Sequence, residues 1–260
     1  MEKYTEQNKL AWEYDAYNFW VNHFGIPSEK AKMDLEDPRK MLKKYSKFFQ
    51  NVESIRIANI CGSCGNKAIP LAILGADVSI FDISEQNKRY ACETADAAGV
   101  HINFVVGDVL NIDMSTYGQY FDIAFMEGGI LHYFHDIDKF MSVIYNILKP
   151  DSKLILSDFH PFNRIANALG IGINTEGADY FSTEVTEGEM AHAPFYDDEK
   201  RKQFPKCICR TYTLSEIINS VINAGFIIKR FEEYPGWVNQ KLPGEFTILA
   251  HKKLNINNND

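Results

Sequence analysis

The chain has 260 residues, 45% hydrophobic and 24% charged, with a formal net charge of −8. These are ordinary globular values that allow one large domain with a buried core, so disorder is not the expectation. No apolar run approaches the roughly 18–20 residues of a membrane helix, and scattered Lys and Arg on an acidic chain argue against a face that neutralises nucleic-acid phosphates. The expected partner is a small molecule, with neither nucleic acid nor membrane, and the chain is expected to be a monomer or homodimer. The opening MEKYTEQNKLAWEYD has no basic n-region or apolar h-region, and five cysteines are an odd number for a disulfide framework. Both point to a reducing, cytoplasmic setting.

Residues 1–52 read as a helical cap rich in aromatics: Trp12, Tyr14, Tyr17, Phe19, Trp20 and Phe24. From there short apolar runs alternate with amphipathic ones. IRIAN (55–59) reads as a strand and NKAIPLAIL (66–74) as a helix. DVSIFD (77–82) is a second strand, followed by a helix over about 84–98. HINFVVGD (101–108) is a third strand, FDIAFM (121–126) a fourth, 136–148 a helix and SKLILSDF (152–159) a fifth strand. This alternation implies βαβ units and a parallel sheet. Residues 160–210, with Gly170, Gly172, Gly177 and Gly188, break the rhythm and read as an insertion. Thr213 and Glu216 then form a capping-box pattern at the head of a helix that Gly225 ends. FIIKRFEEY (226–234) and EFTILAHKK (245–253) close as an antiparallel pair, and 254–260 is expected to be a disordered tail. The main domain thus spans 53–253.

Chemistry concentrates where the strands end. The first strand empties into Cys61-Gly62-Ser63-Cys64-Gly65, and a helix follows at once. Small residues there let backbone approach a ligand, and a helix start offers free N–H groups. Asp82 ends the second strand seventeen residues after Gly65, where a carboxylate can accept from ribose hydroxyls. Asp108 ends the third, placed to accept from an adenine amino group; the bland reading of either acid is a helix cap. All three features fall on the carboxyl edge, where open α/β sheets bind ligands.

This order of elements resembles a class I S-adenosylmethionine-dependent methyltransferase over roughly residues 50–253. The glycine loop, Asp82, Gly107-Asp108, FDIAF and LKPDSKLIL stand where that family has its successive motifs. The resemblance implies a doubly wound, seven-stranded, mostly parallel sheet with an antiparallel last strand, an N-terminal helical cap and an insertion after the fifth strand. It implies S-adenosylmethionine as cofactor and S-adenosylhomocysteine as product. The implied cofactor residues are Asn59, Cys61, Gly62, Ser63, Gly65, Asp82, Ile83, Asn87, Asp108, Val109 and Glu127, with Tyr17 and Trp20 if the cap is a lid rather than core packing. The family usually has an acid at the position of Asn59 and glycines at those of Cys61 and Ser63.

Three other readings stand beside it. A nicotinamide enzyme would want G-x-G-x-x-G, which ICGSCG does not supply. Cys61-x-x-Cys64 with Cys207-x-Cys209 suggests a metal or iron–sulfur site, yet the first pair lies in the proposed cofactor loop and thiols are often small buried hydrophobes, so no metal is expected. The fold could also bind cofactor without catalysis. On the acceptor side, His132 and His160 are the candidate bases because histidine titrates near working pH. Asp158 and His135 have bland readings as a strand-end turn residue and a helix start. Tyr180, Phe181, His192, Phe195, Tyr196 and Trp237 are expected to line an aromatic pocket.

Overall fold

The computed structural model describes residues 3–162, 179–237 and 239–253. Four helices precede the first strand: α1 (Lys3–Glu13), α2 (Ala16–Phe24), α3 (Pro27–Glu36) and the short α4 (Pro38–Met41). Then come β1 (Arg56–Ile60), α5 (Ala68–Ile73), β2 (Asp77–Asp82), α6 (Glu85–Ala98) and β3 (Asn103–Val106). The chain continues through α7 (Met114–Tyr117), β4 (Phe121–Glu127), α8 (Ile137–Ile147) and β5 (Leu148–Phe159). The last strands are β6 (Val185–Gly188), β7 (Cys207–Arg210), β8 (Phe226–Pro235) and β9 (Pro243–Lys252), with a helix at Leu214–Asn223 between β7 and β8. Seven strands form a sheet of order β3-β2-β1-β4-β5-β9-β8, and β6 and β7 form a separate ribbon.

The chain divides into two compact units, Met1–Ile112 with Glu187–Ile208, and Asp113–Thr186 with Cys209–Asp260. In the first, β1 and β2 pair in parallel from Arg56↔Asp77 to Ile60↔Phe81, and β2 and β3 from Ser79↔Asn103 to Asp82↔Val106. This register brings the ends of three strands to one edge. β2 is buried from Val78 to Asp82, as expected of a parallel strand covered on both faces. α6 starts on Ser84, whose hydroxyl accepts from the Asn87 N–H at 3.1 Å, and stops at Gly99 in the left-handed conformation.

In the second unit β4 and β5 run parallel, while β9 is antiparallel to both β5 and β8. α8 buries Ile137, Phe140, Met141, Ile144 and Ile147, a single helical stripe. The expected Thr213–Glu216 capping box is present.

The segment read as one insertion divides. Residues 187–208 belong to the first unit and pack on the N-terminal helices. Asn8 exchanges two hydrogen bonds with the Ile208 backbone, at 3.0 and 2.7 Å, and Lys200 pairs with Asp15 at 3.1 Å. Tyr180 and Phe181 fall in the second unit instead. Gly170, Gly172, Gly177 and the tail 254–260 lie outside the described residues.

Candidate functional site: the carboxyl edge of the first unit

The loop after β1 is built from alternating left-handed residues: Cys61 (φ 49), Ser63 (φ 51) and Gly65 (φ 75). Gly65 donates to the Gly62 carbonyl at 3.0 Å, and its own carbonyl starts α5 by accepting from Ile69 at 2.9 Å. A left-handed L-residue costs about 1–2 kcal/mol, so two of the three positions hold strain that glycine would relieve. Gly62 has a different reason to be glycine. A Cβ there would stand 2.5 Å from Asn59 Oδ1 and 2.9 Å from Ile80. Asn59, 2% exposed, thus tucks its side chain beneath the loop. Ser63 Oγ is buried with no hydrogen-bond partner among the described residues.

Asp82 is 6% exposed and joins this loop to the next. Its Oδ2 accepts from the Ser63 N–H at 2.9 Å; Oδ1 accepts from the Ser84 N–H and from Asn87 Nδ2, both at 3.1 Å. Burial lifts its pKa above the ordinary carboxylate range, while Asn87 and the backbone N–H groups of Ser84, Ser63 and Ile83 pull it back. Asn87 Oδ1 in turn accepts from Trp20 Nε1 at 2.8 Å. Glu13, the last residue of α1, caps α6: it accepts from Ser84 Oγ at 3.2 Å and from the N–H groups of Glu85 and Gln86 at 2.7 and 3.1 Å. The Tyr17 hydroxyl bonds Glu93 on α6, and its ring lies 4.1 Å from the Arg89 guanidinium. Asp108 accepts from the Leu110 N–H at 2.9 Å, so it caps the 3₁₀ turn Val109–Asn111. The bland reading of that acid holds, and its cap and an adenine contact are not mutually exclusive.

A buried histidine sits in the same unit. His192 stacks on Phe19 with centroids 3.8 Å apart, edged by Trp20 at 4.7 Å and Trp12 at 5.2 Å. Its Nδ1 has no hydrogen-bond partner among the described residues. Burial, aided by the His23 charge, pushes its pKa down to about 3, so the ring is neutral at working pH. Burial also pushes the Cys64 thiol up to about 12. Among the described residues no group of three or more His, Cys, Asp or Glu could hold a metal ion, and no helix is long and apolar enough to cross a membrane.

Phe195 and Tyr196 also fall in the first unit, while Glu127, His132, Asp158, His160 and Trp237 belong to the second. Glu127 ends β4 and leads into Gly128 (φ 82) and Gly129 (φ 73). A Cβ at Gly129 would lie 2.5 Å from the Phe159 ring. Asp158 holds this turn. Its carboxylate accepts from the N–H groups of Gly129 (3.1 Å), Ile130 (3.0 Å), Leu131 (2.8 Å) and Phe159 (2.6 Å). Burial pushes its pKa up to about 6, against those four donors. His132 lies half-buried on the turn Leu131–Tyr133 so held. His160 is 1% exposed: Nδ1 accepts from the Phe162 N–H at 3.2 Å, and Nε2 stands 3.1 Å from Glu233 without hydrogen-bond alignment. Burial lowers its pKa, with Glu233 opposing. Trp237 is 72% exposed and edges Phe159 at 5.6 Å.

Glu13 escaped the sequence reading. Its partners lie about 71 to 73 residues away, and no local spacing announces such a cap.

With this geometry in place, residues 57–151 match the family model of a methyltransferase domain. The chain has the class I methyltransferase fold, and the matched segment runs from β1 into β5. Its fold is similar to that of magnesium protoporphyrin IX methyltransferase from Synechocystis with bound S-adenosylhomocysteine, at TM-score 0.62 and 15% identity over 96% of this chain and 99% of that one. An S-adenosylmethionine-dependent methyltransferase from Methanosarcina mazei aligns at TM-score 0.60 and 19% identity, over 80% and 97%. A [4+2]-cyclase aligns at TM-score 0.58 and 14% identity, over 83% and 81%, so the fold of the methyltransferase domain does not by itself dictate the reaction. No curated protein matches the chain.

Proposed function

We propose that the protein binds S-adenosylmethionine through its first unit and transfers the methyl group to a small-molecule acceptor. The observation that carries this reading is the incompletely used carboxylate of Asp82. A carboxylate offers about four acceptor sites, and among the described residues Asp82 accepts three aligned hydrogen bonds, with the Ile83 N–H beside it making the smallest contribution. Ribose hydroxyls suit the remainder. The unpartnered Ser63 Oγ fits the polar amino-acid portion of the same cofactor. Asn59, Cys61, Gly62 and Gly65 complete that side, and Ile83, Asn87, Asp108 and Val109 the nucleoside side. Tyr17 and Trp20 belong to the cap that covers it, and Glu127 is assigned to the cofactor from the family pattern.

When bound, the cofactor supplies a methyl group already activated on a sulfonium. The residues therefore mainly align the acceptor and exclude water. Where the acceptor must lose a proton, we assign the base to His132, on the turn held by Asp158; His160, buried with Nδ1 engaged, is the weaker claimant. We place the protein in the cytoplasm.

Calorimetric titration with S-adenosylhomocysteine, beside Asp82→Ala, tests the cofactor assignment. Binding by the wild type and a loss of about 10-fold or more in the variant are expected, since a charged hydrogen bond contributes ~1.5–3 kcal/mol. A wild type that does not bind overturns it. The strained Cys61 and Ser63 favour a second reading, a cofactor-binding protein without turnover. Tight binding with no product from oxygen, nitrogen, sulfur and carbon acceptors would favour that reading.

A further inference from the structure

The side-chain amide of Asn87 is completely buried and used at both ends. Trp20 Nε1 donates to its oxygen at 2.8 Å, and its nitrogen donates to Asp82 Oδ1 at 3.1 Å. The two partners are one-sided in opposite senses. An indole N–H only donates, and an ionised carboxylate only accepts. Together they dictate which way the amide points. Without the indole, the amide loses the partner that opposes rotation, and a rotated amide would set its oxygen against the carboxylate.

The same N-terminal helices grip the β2–α6 corner a second time. Glu13 accepts from Ser84 Oγ, and the Ser84 N–H donates to Asp82 Oδ1 at 3.1 Å. Both grips end on residues that touch Asp82.

We infer that Trp20 is a positioning residue: through Asn87 it orients Asp82 toward the ribose hydroxyls, so that ribose recognition depends on the docked N-terminal helices. This rests on the cofactor reading above. The test compares S-adenosylhomocysteine with its 2′,3′-dideoxy analogue by calorimetry, for wild type, Trp20→Phe and Trp20→Tyr, with thermal melts alongside. Trp20→Phe keeps an aromatic ring against Phe24 and His192 and removes only the N–H. About 5-fold more weakening is expected for S-adenosylhomocysteine than for the dideoxy analogue, corresponding to ~1 kcal/mol. Equal weakening of both ligands, or none of either, overturns the inference, because ordinary packing cannot tell the two apart. Should Trp20→Phe fail to fold, Trp20→Tyr, which also lacks the indole N–H, decides by the same pattern. A wild type that binds neither ligand overturns the cofactor reading itself.

Discussion

Asp82 and Asp158 are chemically identical residues in like positions, buried aspartates at or beside the carboxyl end of a strand, and each organises a loop after a neighbouring strand. They differ in what they have left. Asp158 accepts four backbone N–H groups, which fills a carboxylate. Among the described residues Asp82 accepts three aligned donors, one of them the side chain of Asn87, with the Ile83 N–H a weaker neighbour. A saturated carboxylate holds a turn in shape; an unsaturated one at a sheet edge retains capacity for a ligand. The same contrast appears in their loops. The turn at 128–129 uses glycines for its left-handed residues, whereas the loop after β1 uses Cys61 and Ser63 beside Gly65.

The largest effect expected is on the saturated partner. Asp158→Ala strips four backbone N–H groups of their acceptor and should cost about 4 kcal/mol or more in urea denaturation, at ~1–3 kcal/mol for each buried donor left unmade. A loss under about 1 kcal/mol would break the comparison. Asp82→Ala should lose less stability than that while weakening S-adenosylhomocysteine about 10-fold or more, as calorimetry would show. If instead it destabilises like Asp158→Ala, the two acids play one structural role. Ser63→Gly and Cys61→Gly should each raise stability by about 1 kcal/mol by relieving the left-handed strain; lower unfolding midpoints would show that these side chains make compensating contacts.

The smallest effect near neutrality is a pH dependence. His192 has its native pKa pushed down to about 3, below its ordinary 6.5, so the unfolded chain binds the extra proton. Stability is lost as pH falls from about 6.5 towards 3. Asp158, raised to about 6 from 3.8, acts in the opposite sense: the native state holds the proton, and its contribution fades as pH rises through about 6. His192→Phe removes only the first component. It should lose less stability than the wild type between pH 6.5 and 4, in denaturant melts at stepped pH. Parallel curves for the two proteins would contradict this.

How legible all this was varied with distance along the chain. β2 was read as Asp77–Asp82, its observed span, because one compact apolar run ends in a polar stop. The capping box at Thr213 was equally visible, being written within four residues. The loop between β1 and α5 was recognised by position, while its positive φ angles at non-glycine residues could not be read from residue types that seldom adopt them. Residues 160–210 were read as one insertion, and the structure assigns 187–208 to the first unit through partners such as Asn8, 200 residues from Ile208.

The sequence by itself determined the strand–helix alternation, the three strand-end features at Gly62–Gly65, Asp82 and Asp108, and through them the methyltransferase fold. Those signals are local: periodicity, small residues and terminal acids are written in consecutive positions. Only the tertiary structure decided which carboxylate was full and which had room, that Glu13 caps α6, and that Trp20 reaches Asp82 through Asn87. Most of these depend on hydrogen-bond partners from about 20 to about 70 residues apart, chosen by packing of whole elements, and one-dimensional spacing carries no record of that choice.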